Sequence, residues 1–80
     1  MRADLFLKKS RIIKRRTLAH EVISQGRVFR NSLPIKPSTN LSNGDSIEIR
    51  LPTRILKVKI LDTDGKKPDS MYEIVSEIRL

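Results

Sequence analysis

The amino-acid sequence predicts an α+β fold, and two observations carry the prediction. Apolar residues recur at helical spacing as far as Gly26, and short alternating β-prone runs come after it. A third observation gives that division a function. Of the eight units of net positive charge, seven lie in residues 1 to 30, where nine Lys and Arg face only Asp4 and Glu21. Residues 31 to 80 are close to balanced. Arg2, Lys8, Lys9, Arg11, Lys14, Arg15 and Arg16 crowd into fifteen positions, a density whose self-repulsion opposes folding unless something outside the chain neutralises it. A polyanion is the expected partner.

The first elements are two helices. Leu5, Phe6, Leu7, Ile12, Ile13, Leu18, Ala19, Val22 and Ile23 recur in adjacent pairs about one or two turns apart, without period-two alternation across residues 3 to 24. A break near Ser10 to Ile13 is expected, because two short helices packed together bury both sets of pairs better than one straight rod. Asp4 can accept from backbone N–H groups at the start of the first helix, Thr17 with Glu21 suits the opening of the second, and Gly26 supplies the stop.

Strands are expected next, at Arg27–Arg30, Leu33–Ile35, Ser46–Leu51 and Arg54–Leu61, separated by turn formers. Asn43-Gly44-Asp45 is the strongest turn signal, since Gly44 takes positive φ without steric cost. Ile47, Ile49 and Leu51 alternate with Glu48 and Arg50, and after Pro52 and Thr53 the pattern resumes with Leu56, Val58 and Ile60 against Lys57 and Lys59. Two half-buried antiparallel strands fit that alternation. Asp62 to Asp69, with Gly65 and Pro68, reads as a flexible loop. Met71, Ile74, Val75 and Ile78 fall at i, i+3, i+4 and i+7, which favours a short C-terminal helix over the alternative, an added strand.

Eighty residues make one small domain, able to bury about 60% of the surface its unfolded chain would expose. An apolar fraction of 38% beside 32% charged residues is that of a soluble globular domain with enough Ile, Leu and Val to fold alone. Without cysteine there can be no disulfide, thiolate metal site or cysteine nucleophile, and the chain suits a reducing cytosol. No apolar run is long enough to span a bilayer, and no secretory hydrophobic region comes after Arg2, so a cytoplasmic protein is expected.

The chemistry on offer is anion binding rather than catalysis. A helix through residues 8 to 16 would line up Lys8, Arg11, Lys14 and Arg15 in one stripe with Arg16 beside them. With a break near Ser10 the same side chains would converge where one helix ends and the next begins. Either arrangement suits phosphates. Arg2, Arg11, Arg15 and Arg16 are the expected fixed contacts, because a guanidinium can grip two oxygens of one phosphate, while the Lys residues add steering and affinity. A membrane surface is the rival partner, set aside because the apolar pairs are committed to a core and no exposed Trp or Phe cluster is apparent. His20 stands without an acidic orienter or a second ligand, and Ser10, Thr17 and Ser24 lack a nucleophile elbow or a base. Asp62, Asp64 and Asp69 lack the spacing and terminal Glu of an EF-hand. No catalytic residue, metal site or cofactor is expected. Phe6 and Phe29 are assigned to the core, so base readout is not expected of them.

Four stretches taken in order carry a family resemblance: Arg2-Ala3-Asp4-Leu5-Phe6-Leu7, Lys14-Arg15-Arg16-Thr17-Leu18-Ala19, Ile23-Ser24-Gln25-Gly26-Arg27-Val28 and Gly44-Asp45-Ser46-Ile47. Together they resemble the S-four RNA-binding domain over about residues 1 to 61, leaving 62 to 80 as a loop and C-terminal extension. The resemblance implies a helix pair packed on a small twisted antiparallel sheet, with structured RNA on the helical face. Arg2 and Arg16 match positions expected to contact RNA. Asp4, Lys8, Arg11 and Arg15 match the surrounding motif, with Lys14, Thr17, Ala19 and Gly26 inside it, and Asp4 is expected to orient an Arg or cap a helix.

The single-domain length and the Met71-Tyr72 tail further resemble small bacterial members of the family that serve ribosome-associated quality control. That likeness implies large ribosomal subunits obstructed by peptidyl-tRNA as partner, contacts to large-subunit rRNA and to the tRNA, and support for alanine tailing of the stalled chain by the factor RqcH. It also implies a monomer off the ribosome and no enzymatic activity. General rRNA binding in ribosome assembly is the alternative. One departure concerns the turn after the first strand, Asn31-Ser32 where the family has Asn-Gly, with Pro34 and Pro37 stiffening the next segment.

Overall fold

The structure, a computed structural model describing all 80 residues, packs two short helices against a five-stranded antiparallel sheet. Helix α1 spans Ala3–Lys9 and helix α2 Arg16–Ser24. Ala3, Phe6 and Leu7 from α1 and Ala19, Val22 and Ile23 from α2 are buried, at the three- and four-residue spacing that puts each set on one side of its helix. Ile12 and Ile13, in the connection, are buried with them.

Each helix stops for a visible reason. At the end of α2 Gly26 takes φ +75°, its N–H donates to the Ile23 carbonyl at 3.0 Å, and the Arg27 N–H donates to Val22 at 3.3 Å. This is a Schellman closure, and the expected stop. Helix α1 ends at Ser10, whose buried hydroxyl donates to the Leu7 carbonyl at 3.2 Å. The next residue, Arg11, takes the left-handed φ of +61° that usually falls to glycine. Residues 10 to 15 therefore are not helical, and the single basic stripe does not form. Thr17 does not cap α2: the cap residue is Arg15, in extended conformation, and no side chain accepts from the first turn.

The strands are β1 (Val28–Arg30), β2 (Leu33–Pro34), β3 (Ser46–Arg50), β4 (Arg54–Ile60) and β5 (Tyr72–Arg79), in spatial order β2-β1-β3-β4-β5. Asn31 and Ser32, both at positive φ, make a two-residue hairpin turn that pairs Arg30 with Leu33. Gly44, at φ +92°, sits in a turn closed by the Asp45 N–H on the Ser42 carbonyl at 3.1 Å, and β3 begins just beyond it. Ile47 faces Val58 and Ile49 faces Leu56, all buried beneath the helices, while Glu48 and Lys57 pair on the open face.

Three expectations are corrected. Residues 72 to 79 form a strand, not a helix, antiparallel to β4. A bulge leaves Val75 without a partner between Ile74, opposite Val58, and Ser76, opposite Lys57. That extra residue breaks the period-two alternation and spaces the apolar residues as a helix would. Phe29 lies on the open face of the sheet, half-buried, with the Arg50 guanidinium 4.5 Å from its ring centre; Val28 takes the buried side. Residues 62 to 69 are not a free loop. The Asp62 carboxylate accepts the Asp64 N–H at 2.9 Å, Asn43 accepts the Thr63 N–H at 2.9 Å, and buried Met71 accepts at its carbonyl from Leu61 at 2.8 Å.

Candidate nucleic-acid interface

Helix α1 carries a different basic cluster at each end. At its start Asp4 is buried, with its side chain 4% exposed, and both of its oxygens are used. Oδ1 accepts from the Leu5 N–H at 2.7 Å, from Arg2 Nε at 3.2 Å and from Arg16 Nη2 at 3.5 Å, while Oδ2 accepts from Arg2 Nη2 at 3.3 Å. Burial works against ionisation of Asp4. The Arg2 and Leu5 hydrogen bonds and the Arg16 and Arg2 charges outweigh it and hold the carboxyl below its ordinary value.

Asp4 therefore stays an anion that fixes two guanidinium groups side by side. The side chains of Arg2 and Arg16 are 51% and 48% exposed, and each guanidinium has five N–H donors of which Asp4 takes two and one. The remaining donors are free for a ligand such as a phosphate. The backbone beneath is fastened to residues 37 to 41: Ala3 donates to Thr39 at 2.8 Å, and Leu41 to Met1 at 2.7 Å.

At the other end of α1 a cleft of about 630 Å³ is lined by Lys8, Lys9, Arg11, Lys14 and Lys66, with Gly65 and Pro68. No carboxylate lines it, and none of these five cations takes part in an ion pair. The structure thus splits the expected basic residues. Arg2 and Arg16 meet at Asp4, Lys8, Arg11 and Lys14 meet in the cleft, and exposed Arg15 belongs to neither group. Ala19 is fully buried, Gly26 closes α2, and Thr17 is exposed on the first turn of α2. His20 accompanies Ser24, 3.4 Å away on the surface.

Sequence reasoning misses Lys66 and gives Lys9 no role. The only signal for Lys66 is a Lys pair between Gly65 and Pro68 in a polar stretch far along the chain from the basic half.

The two helices, the β1–β2 hairpin and the turn into β3 define an RNA-binding module, and the chain belongs to the S4 domain family, which matches residues 1–47. The most informative relatives share a single description. The chain is 49% identical to the RQC P-site tRNA stabilizing factor of Streptococcus pneumoniae, across all of this chain and 96% of that protein. It is 45% identical to the factor of that name in Listeria monocytogenes over 99% of this chain and 90% of the relative. For the Bacillus subtilis factor the identity is 39%, over 100% and 98%. Among solved structures, the trimeric heat shock protein 15 of Vibrio cholerae superposes with a TM-score of 0.84 at 25% identity, covering 95% of this chain and 82% of that one.

Proposed function

We propose that this chain is a non-enzymatic RNA-binding factor of ribosome-associated quality control that steadies tRNA in the peptidyl site of obstructed large ribosomal subunits. The observation that carries the reading is the Asp4-anchored pair Arg2 and Arg16, two half-exposed guanidinium groups held at a fixed spacing on the helical face. Relatives that align with essentially the whole chain bear the name of a factor with that role, which supports it. In this reading residues 1 to 61 act as the RNA-binding module with 62 to 80 as its extension. Arg2, Lys8, Arg11, Lys14, Arg15 and Arg16 contact the phosphates of large-subunit rRNA and of peptidyl-tRNA. The protein works in the cytoplasm as a monomer off the ribosome, and its hold on the tRNA supports alanine tailing by RqcH.

Crosslinking and sequencing of the RNA bound in cells with stalled ribosomes tests this, comparing the parent chain with Arg16→Ala after both are shown to be folded. Large-subunit rRNA and tRNA reads are expected together in the parent and reduced together in the variant. Reads confined to rRNA of immature particles would instead assign the chain to ribosome assembly.

A further inference from the structure

We propose that the cleft between the α1–α2 connection and the 61–71 loop is a second, separate binding site for the sugar–phosphate backbone of RNA, with Lys66 supplying its far wall. The proposal rests on the RNA-binding reading above and adds to it a wall contributed by Lys66, which lies beyond residues 1–47, the part that the S4 domain matches. Five cations face this concavity with no carboxylate among the lining residues, although Asp62, Asp64 and Asp69 belong to the same loop. Such an arrangement carries self-repulsion that a bound polyanion relieves. No Leu, Ile, Val, Met or aromatic side chain lines the cleft, so it has no large apolar anchor for a lipid tail. It also offers no side-chain amide or ring to read a base edge, and four of its five cations are Lys, which act as point charges. A lining dominated by point charges favours backbone phosphate as the ligand.

Both walls are built. On one side Arg11 is held at φ +61°, a strained position for any residue but glycine, between Ser10, whose hydroxyl is buried, and buried Ile12. On the other, a Cβ on Gly65 would come within 2.8 Å of Met71 Cγ and 3.0 Å of Ser70 Oγ, so any other residue there would have to displace the Met71 or Ser70 side chain. The Ser70 hydroxyl donates to the Lys67 carbonyl at 2.7 Å, and the Gly65 N–H donates to Asp62 at 3.2 Å. Lys66 therefore stands on a closed turn anchored by Met71, which is 1% exposed. Since α1 has seven residues, its two ends are about 10 Å apart, far enough for the Arg2–Arg16 pair and the cleft to take different phosphates.

The test is the salt dependence of binding of the full chain to purified large ribosomal subunits and, separately, to bulk tRNA. Lys66→Glu is compared with Lys59→Glu, an identical charge change on the open face of the sheet, and Lys66→Gln is included as the milder variant should Lys66→Glu unfold. Lys66→Glu is expected to weaken binding about tenfold and to lower the slope of log affinity against log salt by about 0.7–0.9, the loss of one phosphate contact. Lys59→Glu is expected to change affinity less than about twofold, as screened long-range charge does. A Lys66→Glu variant that behaves like Lys59→Glu, or one that binds more weakly with an unchanged slope, overturns the cleft. Loss of binding in Arg16→Ala with no effect at Lys66 would leave the primary reading standing alone. Failure of the unsubstituted chain to bind either RNA would sink both.

Discussion

The two ends of α1 use positive charge in opposite ways. At the start one buried carboxylate takes hydrogen bonds from Arg2 and Arg16, so direction is set before any ligand arrives. At the end five cations surround open space with no counter-charge. A paired guanidinium gives up some net field for a fixed geometry, whereas an unpaired Lys keeps its full field and its rotamer freedom. The first arrangement suits positioning a phosphate and the second suits attracting one.

The largest effect is expected where position matters. Arg16→Ala should lower RNA affinity by about 10- to 100-fold, from the roughly 1.5–3 kcal/mol that a charged hydrogen bond carries. The readout is titration against large subunits at fixed salt. Asp4→Ala breaks the comparison more sharply, because it raises net charge by one unit and yet is expected to weaken binding about tenfold as both guanidinium groups lose their common acceptor. If affinity rises instead, bulk charge governs and the corner positions nothing. The same substitution should cost about 1–3 kcal/mol of stability, measured by urea unfolding, with the half-exposed Arg partners keeping it below a fully buried pair.

A pH series isolates that contribution. Asp4 has a folded pKa below its ordinary 3.8, so its ionisation stabilises the fold fully above that value, and the gain is lost as pH falls through the folded value. The stability gap between the parent and Asp4→Asn should be constant from about pH 7 to 5 and shrink below about pH 4. A gap that persists unchanged at pH 2 would assign it to packing.

Smaller effects are expected at the strained turns, where glycine relieves positive φ. Arg11→Gly should stabilise the fold by about 0.5–1 kcal/mol while weakening RNA binding several-fold, so that stability and binding move in opposite directions. Ser32→Gly, at φ +65° in the β1–β2 turn, should give a similar or smaller gain with RNA binding unchanged. Paired thermal melts and titrations check both variants, and loss of binding in Ser32→Gly would extend the interface to that hairpin.

Helix and strand order is legible where the signal is local. Phe6 and Leu7, then Val22 and Ile23, show their period within one or two turns, and Gly26 and Gly44 mark stops that only their backbone freedom explains. The C-terminal strand reads as a helix because the bulge at Val75 imitates a helical period, and the pairing with β4 that decides the matter involves residues far away in sequence. The 62–69 segment reads as polar and loose, yet Asn43 and Met71 fasten it through contacts that composition does not encode. Phe29 points inward on residue type alone, but strand parity set by Val28 turns it outward.

From residue types and their spacing alone come the concentration of charge ahead of Gly26, the helix pair broken near Ser10, and the alternation of β3 and β4. All of these depend on residues within a few positions of one another or on simple counts. The tertiary structure decided how the basic residues divide. Asp4 draws Arg2 and Arg16 together across twelve positions, and the turn at Gly65 brings Lys66 beside Lys8, Lys9, Arg11 and Lys14. Charge is additive along a chain and can be counted, but which charges share a phosphate depends on distances that only the packed core sets.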